Sequence, residues 1–198
     1  MKIGILREEK VPTDKRVPLS PNQCKRLIAQ YPSIVLFVQS SNIRCFQDSE
    51  YEDLGINIEE DISDCDVFLG IKEVPIESLI ADKTYLFFSH TLKKQDYNRA
   101  LLQDMLVKRI KMVDYEVIKN TNGKRLLGFG RYAGIIGTYN GLLTYGLKSE
   151  KYKLKAAHLC ENREEMEREL QKLNLSNEKI ILTGNGRAGQ GALETLRK

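Results

Sequence analysis

The sequence predicts an α/β fold. We expect a Rossmann-like (flavodoxin-like) N-terminal domain with a mainly parallel sheet, followed by the start of a second Rossmann domain. Three observations predict it. Short apolar runs alternate with helix-forming stretches from residue 2 to residue 113. Two of those runs end in ionisable residues, where open α/β sheets place their ligands. Near the end of the sequence, Gly184, Gly186 and Gly189 carry the G-x-G-x-x-G spacing of a dinucleotide-binding turn, directly after the apolar run Ile180-Ile181-Leu182, which reads as a strand.

Taken in order, Lys2 to Leu6 reads as the first strand. Ser20-Pro21 marks a helix start, an N-cap followed by proline at the first helical position, and Tyr31-Pro32 stops that helix after Gln30. Ile34 to Gln39 is a buried strand, and Asp48 or Ser49 caps a short helix that ends at Gly55. Asp66 to Ile71 and Thr84 to Ser89 supply the third and fourth strands. A helix over Lys94 to Lys108 places Leu101, Leu102, Met105 and Leu106 on one face, and Ile110 to Val113 is the fifth strand. Asn122-Gly123 predicts a hairpin turn between Val117 and Leu127.

The stretch from Arg131 to Lys148 changes character, with Gly134, Gly137 and Gly141 at spacings of three and four. Each glycine costs a helix roughly 1 kcal/mol against alanine, so the helix must gain elsewhere by admitting another backbone. A helix buried between two domains fits; a loop or an interfacial membrane helix is the alternative. Lys148 to Lys155 reads as a linker, and Glu161 to Leu173 as a solvated helix laced with pairs such as Glu164-Arg168. We therefore expect a catalytic and substrate-binding domain over 1–130, an interdomain helix over 131–148, and over 149–198 a linker leading into a nucleotide domain.

Composition excludes several classes. Lysine plus arginine number 31 against 27 acids, a net charge of +4, with the signs interspersed, which argues against a nucleic-acid surface. Four scattered cysteines and two histidines lack zinc-ligand spacing, so no metal is expected. Free thiols, no signal peptide and no apolar run longer than Ile34 to Val38 lead us to expect a cytoplasmic protein that does not enter a membrane.

Candidate chemistry sits at the strand ends. The run DVFLGI terminates in Lys72-Glu73 and the run TYLFF in Ser89-His90, so Lys72 and His90 would face one space. Imidazole titrates where proton transfer near neutrality needs it, and a lysine amine can serve where apolar walls favour its neutral form. The plain alternative is a solvated lysine and a histidine beside a helix cap. Arg16 and Arg125 can fork onto substrate carboxylates or be surface charges, and Glu116 is a crevice carboxylate or a cross-strand charge. In the terminal motif, Gly184 allows the tight turn, Gly186 the approach of pyrophosphate and Gly189 close packing, with a helix opening near Ala188.

The stretches GILREEKVPTDKRVPLSP, GIKEVP, FFSHTLKKQ, VDYEVI, GKRLLGFGRYAGIIG and GNGRAGQGA occur in this order. Together they resemble the alanine dehydrogenase and pyridine nucleotide transhydrogenase superfamily, and most of all its lysine-forming saccharopine dehydrogenases. The resemblance implies two Rossmann-like domains around a deep cleft. It also implies oxidation of a carbon–nitrogen bond with hydride transfer to NAD, NADP not being excluded, and hydrolysis of the imine to an amino acid and a 2-oxo acid. By resemblance, Lys72 and His90 are the acid–base pair, and Glu73 and Glu116 moderate the positive charge of the site. Arg16, Lys93 and Arg125 hold substrate carboxylates, and Gly184, Gly186, Arg187 and Gly189 meet the cofactor. Alanine dehydrogenase-type deamination and a non-catalytic binding module are the alternatives.

Two departures stand out. Arg131 replaces an aromatic residue before YAG. The sequence also ends just inside the nucleotide domain, so we expect a fragment inactive by itself, with an unfinished sheet whose apolar face would favour a homo-oligomer.

Overall fold

The structure is a computed structural model that describes residues 1–198. It resolves into two compact units, Met1–Leu127 and Gly128–Lys198.

In the first unit the strands are β1 (Lys2–Ile5), β2 (Val35–Gln39), β3 (Asn57–Glu59), β4 (Val67–Leu69), β5 (Thr84–Phe87) and β6 (Lys111–Asp114). Between them lie the helices α1 (Pro21–Gln30), α2 (Asp48–Glu52) and α3 (Arg99–Val107). All six strands run parallel in the order β3-β2-β1-β4-β5-β6. That is the doubly wound Rossmann order, rather than the 2-1-3-4-5 order of flavodoxin. The chain winds outward from β1 to β3 and then returns to the other flank of β1. The winding therefore reverses between β1 and β4, and the carboxyl ends of those strands form the crevice where such sheets bind ligands.

Strand alternation explains the two layers. Ile3, Ile5, Leu36 and Val38 face Cys24 of α1 and Tyr51 of α2, while Phe68, Tyr85 and Phe87 face Leu101 and Met105 of α3. Phe68 and Tyr85 stack with ring centroids 4.9 Å apart. Helix α1 starts as its sequence predicts, with the Ser20 amide donating to Gln23 Oε1 at 2.8 Å. The Asn122-Gly123 turn also forms, with Gly123 at φ +73° and an antiparallel bridge between Lys119 and Arg125.

Three expectations for this unit are corrected. Strand β3 was not anticipated, because Asn57-Ile58-Glu59 offers a single apolar residue; it forms as an edge strand against Phe37–Gln39. Helix α2 begins at Asp48 with Gln47 as its cap. Helix α3 begins at Arg99 rather than Lys94, because Lys94 is left-handed (φ +52°) between two short 3-10 turns, Thr91–Lys93 and Asp96–Asn98.

The second unit contains α4 (Gly130–Ser149), α5 (Arg163–Glu169) and α6 (Arg187–Leu196). Its glycine pattern has a direct cause. A Cβ on Gly134 would lie 1.9 Å from the Ala188 carbonyl oxygen, and one on Gly191 would lie 1.9 Å from that of Arg131. The two backbones touch, and the helix that α4 admits is α6. Arg131, in place of the aromatic residue, forks onto Glu194 of α6 at 2.8 and 2.9 Å. Helix α5 is shorter than expected and only partly solvated. Its Met166, together with Leu170, packs on Ile135, Tyr139 and Leu142 of α4, and the i,i+4 pair it forms is Arg163–Glu167.

The strand expected over Ile180-Ile181-Leu182 is not formed, and Ile181 is 87% exposed. A strand satisfies its amides on a neighbour, and this unit of helices offers none.

Candidate active site at the carboxyl edge of the sheet

The carboxyl ends of β1, β4, β5 and β6 gather most of the polar residues that the sequence singles out. The loop after β4 carries Lys72 and Glu73, the loop after β5 carries His90, and the turn after β6 carries Glu116. His90 Nδ1 lies 2.5 Å from Glu73 Oε1, and Lys10 Nζ donates to Glu73 Oε2 at 2.7 Å. One face of the imidazole stacks near-parallel on Phe88. Burial works against ionisation of Glu73, but the hydrogen bonds from Lys10 and His90 outweigh it and hold the carboxyl below its ordinary value.

Glu8, only 7% exposed, closes the crevice between β1 and β4. Its carboxylate accepts the Ile71 amide at 2.7 Å and the Lys72 amide at 2.9 Å, which fixes the backbone that carries the lysine. Burial raises the Glu8 pKa, and those two amides oppose the rise. The charge of Lys72 is felt by Asp14, whose pKa is lowered first by its hydrogen bond with Arg16. Arg16 forks onto Asp14 through Nε (2.8 Å) and Nη2.

Glu116 sits between two cations, Lys93 Nζ at 3.6 Å and an Arg125 terminal nitrogen at 3.5 Å. Its Oε2 is buried without a hydrogen-bond partner, so the carboxylate retains an unused acceptor. A cavity of about 120 Å³ adjoins this edge, lined in part by Glu8, Lys72, Glu73 and Val74.

The second unit presents the glycine turn. Gly184 adopts φ +82°, which only glycine takes without strain. Gly186 caps α6, and nothing lies within 4 Å of where its Cβ would be. A Cβ on Gly189 would sit 2.3 Å from the Gly184 carbonyl oxygen. The turn is thus closed on its inner side and open at Gly186, above the first turn of α6. Arg187 is the first residue of that helix. This arrangement fits a dinucleotide pyrophosphate, with amides for the phosphate oxygens and no side chain in their way.

A family model described as the alanine dehydrogenase/PNT N-terminal domain matches residues 4–136. The chain belongs to this family. Among curated proteins it is 40% identical over 153 residues to an alpha-aminoadipic semialdehyde synthase of Arabidopsis thaliana, covering 75% of the chain and 14% of that protein. It is 27% identical over 209 residues to a saccharopine dehydrogenase (NAD(+), L-lysine-forming) of Yarrowia lipolytica, covering 98% of the chain and 56% of that enzyme. A relative in Rattus norvegicus, 36% identical over 146 residues (74% of the chain, 16% of that protein), is named as mitochondrial. The chain thus spans between about a seventh and just over half of the length of these relatives. Among solved structures, an L-alanine dehydrogenase superposes with a TM-score of 0.61 at 18% identity, over 77% of the chain and 43% of that structure, which shows the same fold. No helix of the chain is long and apolar enough to cross a membrane.

For this alanine dehydrogenase/PNT-family chain, sequence reasoning found the residues at the strand ends and missed those that hold them. The structure brings His90 to Glu73, and Lys93 and Arg125 to Glu116, whereas Lys72 is held by its backbone amide. Glu8, Lys10 and Asp14 lie in the same charged stretch as Arg16 and give no separate signal in a single sequence. Asp114 ends β6, one residue beyond the strand that the sequence predicts.

Proposed function

We propose that the chain is the substrate-binding part of an NAD(P)-dependent amino-acid dehydrogenase of the saccharopine dehydrogenase type, oxidising a CH–NH bond. The observation that carries this reading is the line Lys10–Glu73–His90, with Lys72 beside it, at the carboxyl edge of a sheet in this family. One of Lys72 and His90 takes the proton of the secondary amine. The other serves the addition of water to the imine and the collapse of the carbinolamine to amine and 2-oxo acid. Glu73 holds the imidazole through Nδ1, so that Nε2 faces the reacting atoms. Arg16, Lys93 and Arg125 hold substrate carboxylates, and Glu116 tempers the charge of the last two.

Gly184, Gly186, Arg187 and Gly189 are assigned to the pyrophosphate of the nicotinamide cofactor, which when bound accepts the hydride. NAD is favoured because it appears in the name of the Yarrowia relative, with NADP as the alternative. The partners are then a small amino acid and a 2-oxo acid.

The test is NAD(H)-linked oxidation of saccharopine, alanine and other N-substituted amino acids, with the 198 residues alone and with the full natural protein. We expect turnover of saccharopine by the full protein and none by the 198 residues. Turnover of alanine alone would move the assignment to oxidative deamination. No turnover of any of them by the full protein would leave a non-catalytic binding module.

A further inference from the structure

His90 holds a backbone conformation that a histidine does not choose. Its φ of +55° and ψ of 6° lie in the left-handed region, which costs a non-glycine residue roughly 1–2 kcal/mol. Its flanking residues show what holds it there. Ser89 is fully buried, and its hydroxyl donates to Asp114 Oδ2 at 2.5 Å. Ser89 Oγ also accepts the Thr91 amide at 3.2 Å and lies 2.8 Å from Thr91 Oγ1. A serine hydroxyl has one proton and two lone pairs. With the proton given to Asp114, both contacts from Thr91 must be donated to it, and the oxygen is fully used. The residues before and after His90 are therefore pinned to one atom, and that atom to a carboxylate of β6.

The other oxygen of Asp114 is also engaged, accepting the Glu116 amide at 2.7 Å and starting the turn that carries Glu116. One buried carboxylate thus sets the exits of two neighbouring strands, and with them a proposed acid–base group and a proposed charge-balancing group. We propose that Asp114, acting through the Ser89 hydroxyl, is a positioning residue that holds His90 in its left-handed conformation and so keeps the imidazole on Glu73. Its importance for catalysis rests on the acid–base reading of His90; its effect on His90 geometry does not.

The sequence supplies an internal control, because His90 and His158 are its two histidines. Nitrogen-15 spectra of the imidazoles would be recorded for the wild-type chain and for Ser89→Ala, Asp114→Ala and Asp114→Asn. Glu73→Gln serves as the reference for a disturbed Nδ1 contact. Circular dichroism would confirm that each variant is folded. We expect the His90 Nδ1 resonance of S89A and D114A to move most of the way to its position in E73Q, with His158 unmoved. D114N should keep the wild-type signature, since its amide can accept from Glu116 and donate to Ser89 once the Ser89 hydroxyl turns its proton to Thr91 Oγ1. S89A deletes one hydroxyl and carries the test if D114A fails to fold. A folded S89A with wild-type His90 signals would overturn the proposal, as would equal movement of His158. Neither readout needs turnover, so this result and the fate of the dehydrogenase reading are decided separately.

Discussion

Two glycines of α4 should respond to the same substitution with opposite signs. Replacing a helical glycine by alanine gains up to ~1 kcal/mol in propensity where there is room. At Gly137 nothing lies within 4 Å of the new methyl, so Gly137→Ala should stabilise by ~0.5–1 kcal/mol. At Gly134 the methyl would sit 1.9 Å from the Ala188 carbonyl oxygen and 2.8 Å from the Ala192 nitrogen. Ordinary contact begins near 3.4 Å, so α4 and α6 would have to part by 3.4 − 1.9 = 1.5 Å. These are backbone atoms of a helix and cannot swing aside. Overpacking of this kind costs ~1–3 kcal/mol or more, which exceeds the propensity gain. The second unit has 198 − 127 = 71 residues. For a unit of that size 1 kcal/mol moves the melting temperature by roughly 4–8 °C. Thermal unfolding followed by circular dichroism should therefore place G137A above the wild type and G134A well below it. A G134A variant that melts at or above wild type would refute the backbone contact as the reason for the glycine.

Other outcomes follow from the charged edge. Glu8→Gln leaves a buried amide facing a buried NH₂ group and should cost ~1–3 kcal/mol in urea unfolding. Because burial raises the Glu8 pKa, ionised Glu8 lowers stability at neutral pH, a cost relieved as pH falls through its folded value. E8Q should remove that part of the pH dependence. Glu73 behaves in the opposite sense. Its lowered pKa contributes stability above the ordinary carboxyl value that is lost as pH falls through the folded value. The gap in urea midpoint between wild type and Glu73→Gln should therefore close as the pH falls below ~4.5. On the dehydrogenase reading proposed above, Lys93→Ala and Arg125→Ala in the full natural protein should raise the KM for saccharopine by ~10–100-fold, the value of one charge-assisted hydrogen bond, with little change in kcat. Val113 of the edge strand β6 and Leu106 and Val107 of α3 are exposed, so sedimentation of the 198 residues should show self-association that rises with concentration.

Much of this fold was legible in the sequence because its strands are apolar and bounded. Phe68 and Tyr85 stand in runs that can only be core, and Ser20-Pro21 and Asn122-Gly123 carry their own turn chemistry. Strand β3 was not legible, since an edge strand with one apolar residue owes its existence to its neighbour. The same reason acts in reverse at Ile180-Ile181-Leu182, where strand propensity without a partner yields irregular chain. Lys72, Glu73 and His90 could be picked out because they end apolar runs, whereas spacing left Glu116 open between a crevice carboxylate and a cross-strand charge. The ties that orient them could not. Glu8 and Asp114 serve through hydrogen bonds to amides and a hydroxyl far away in sequence, and one-dimensional spacing carries no record of those.

The grip of Glu8 on the loop after β4 has a kinetic meaning. Its two bonds join positions 63 and 64 residues apart, and they link the half of the sheet built by residues 2–59 to the half built by residues 67–114. Such contacts form only after a large loop has closed, so they belong to the late stages of assembly. A mutation there should mainly hasten unfolding and leave the folding rate almost untouched. The peptide that carries Lys72 therefore acquires its final geometry only when the two halves have met. A half-assembled sheet has strands but no organised place for chemistry.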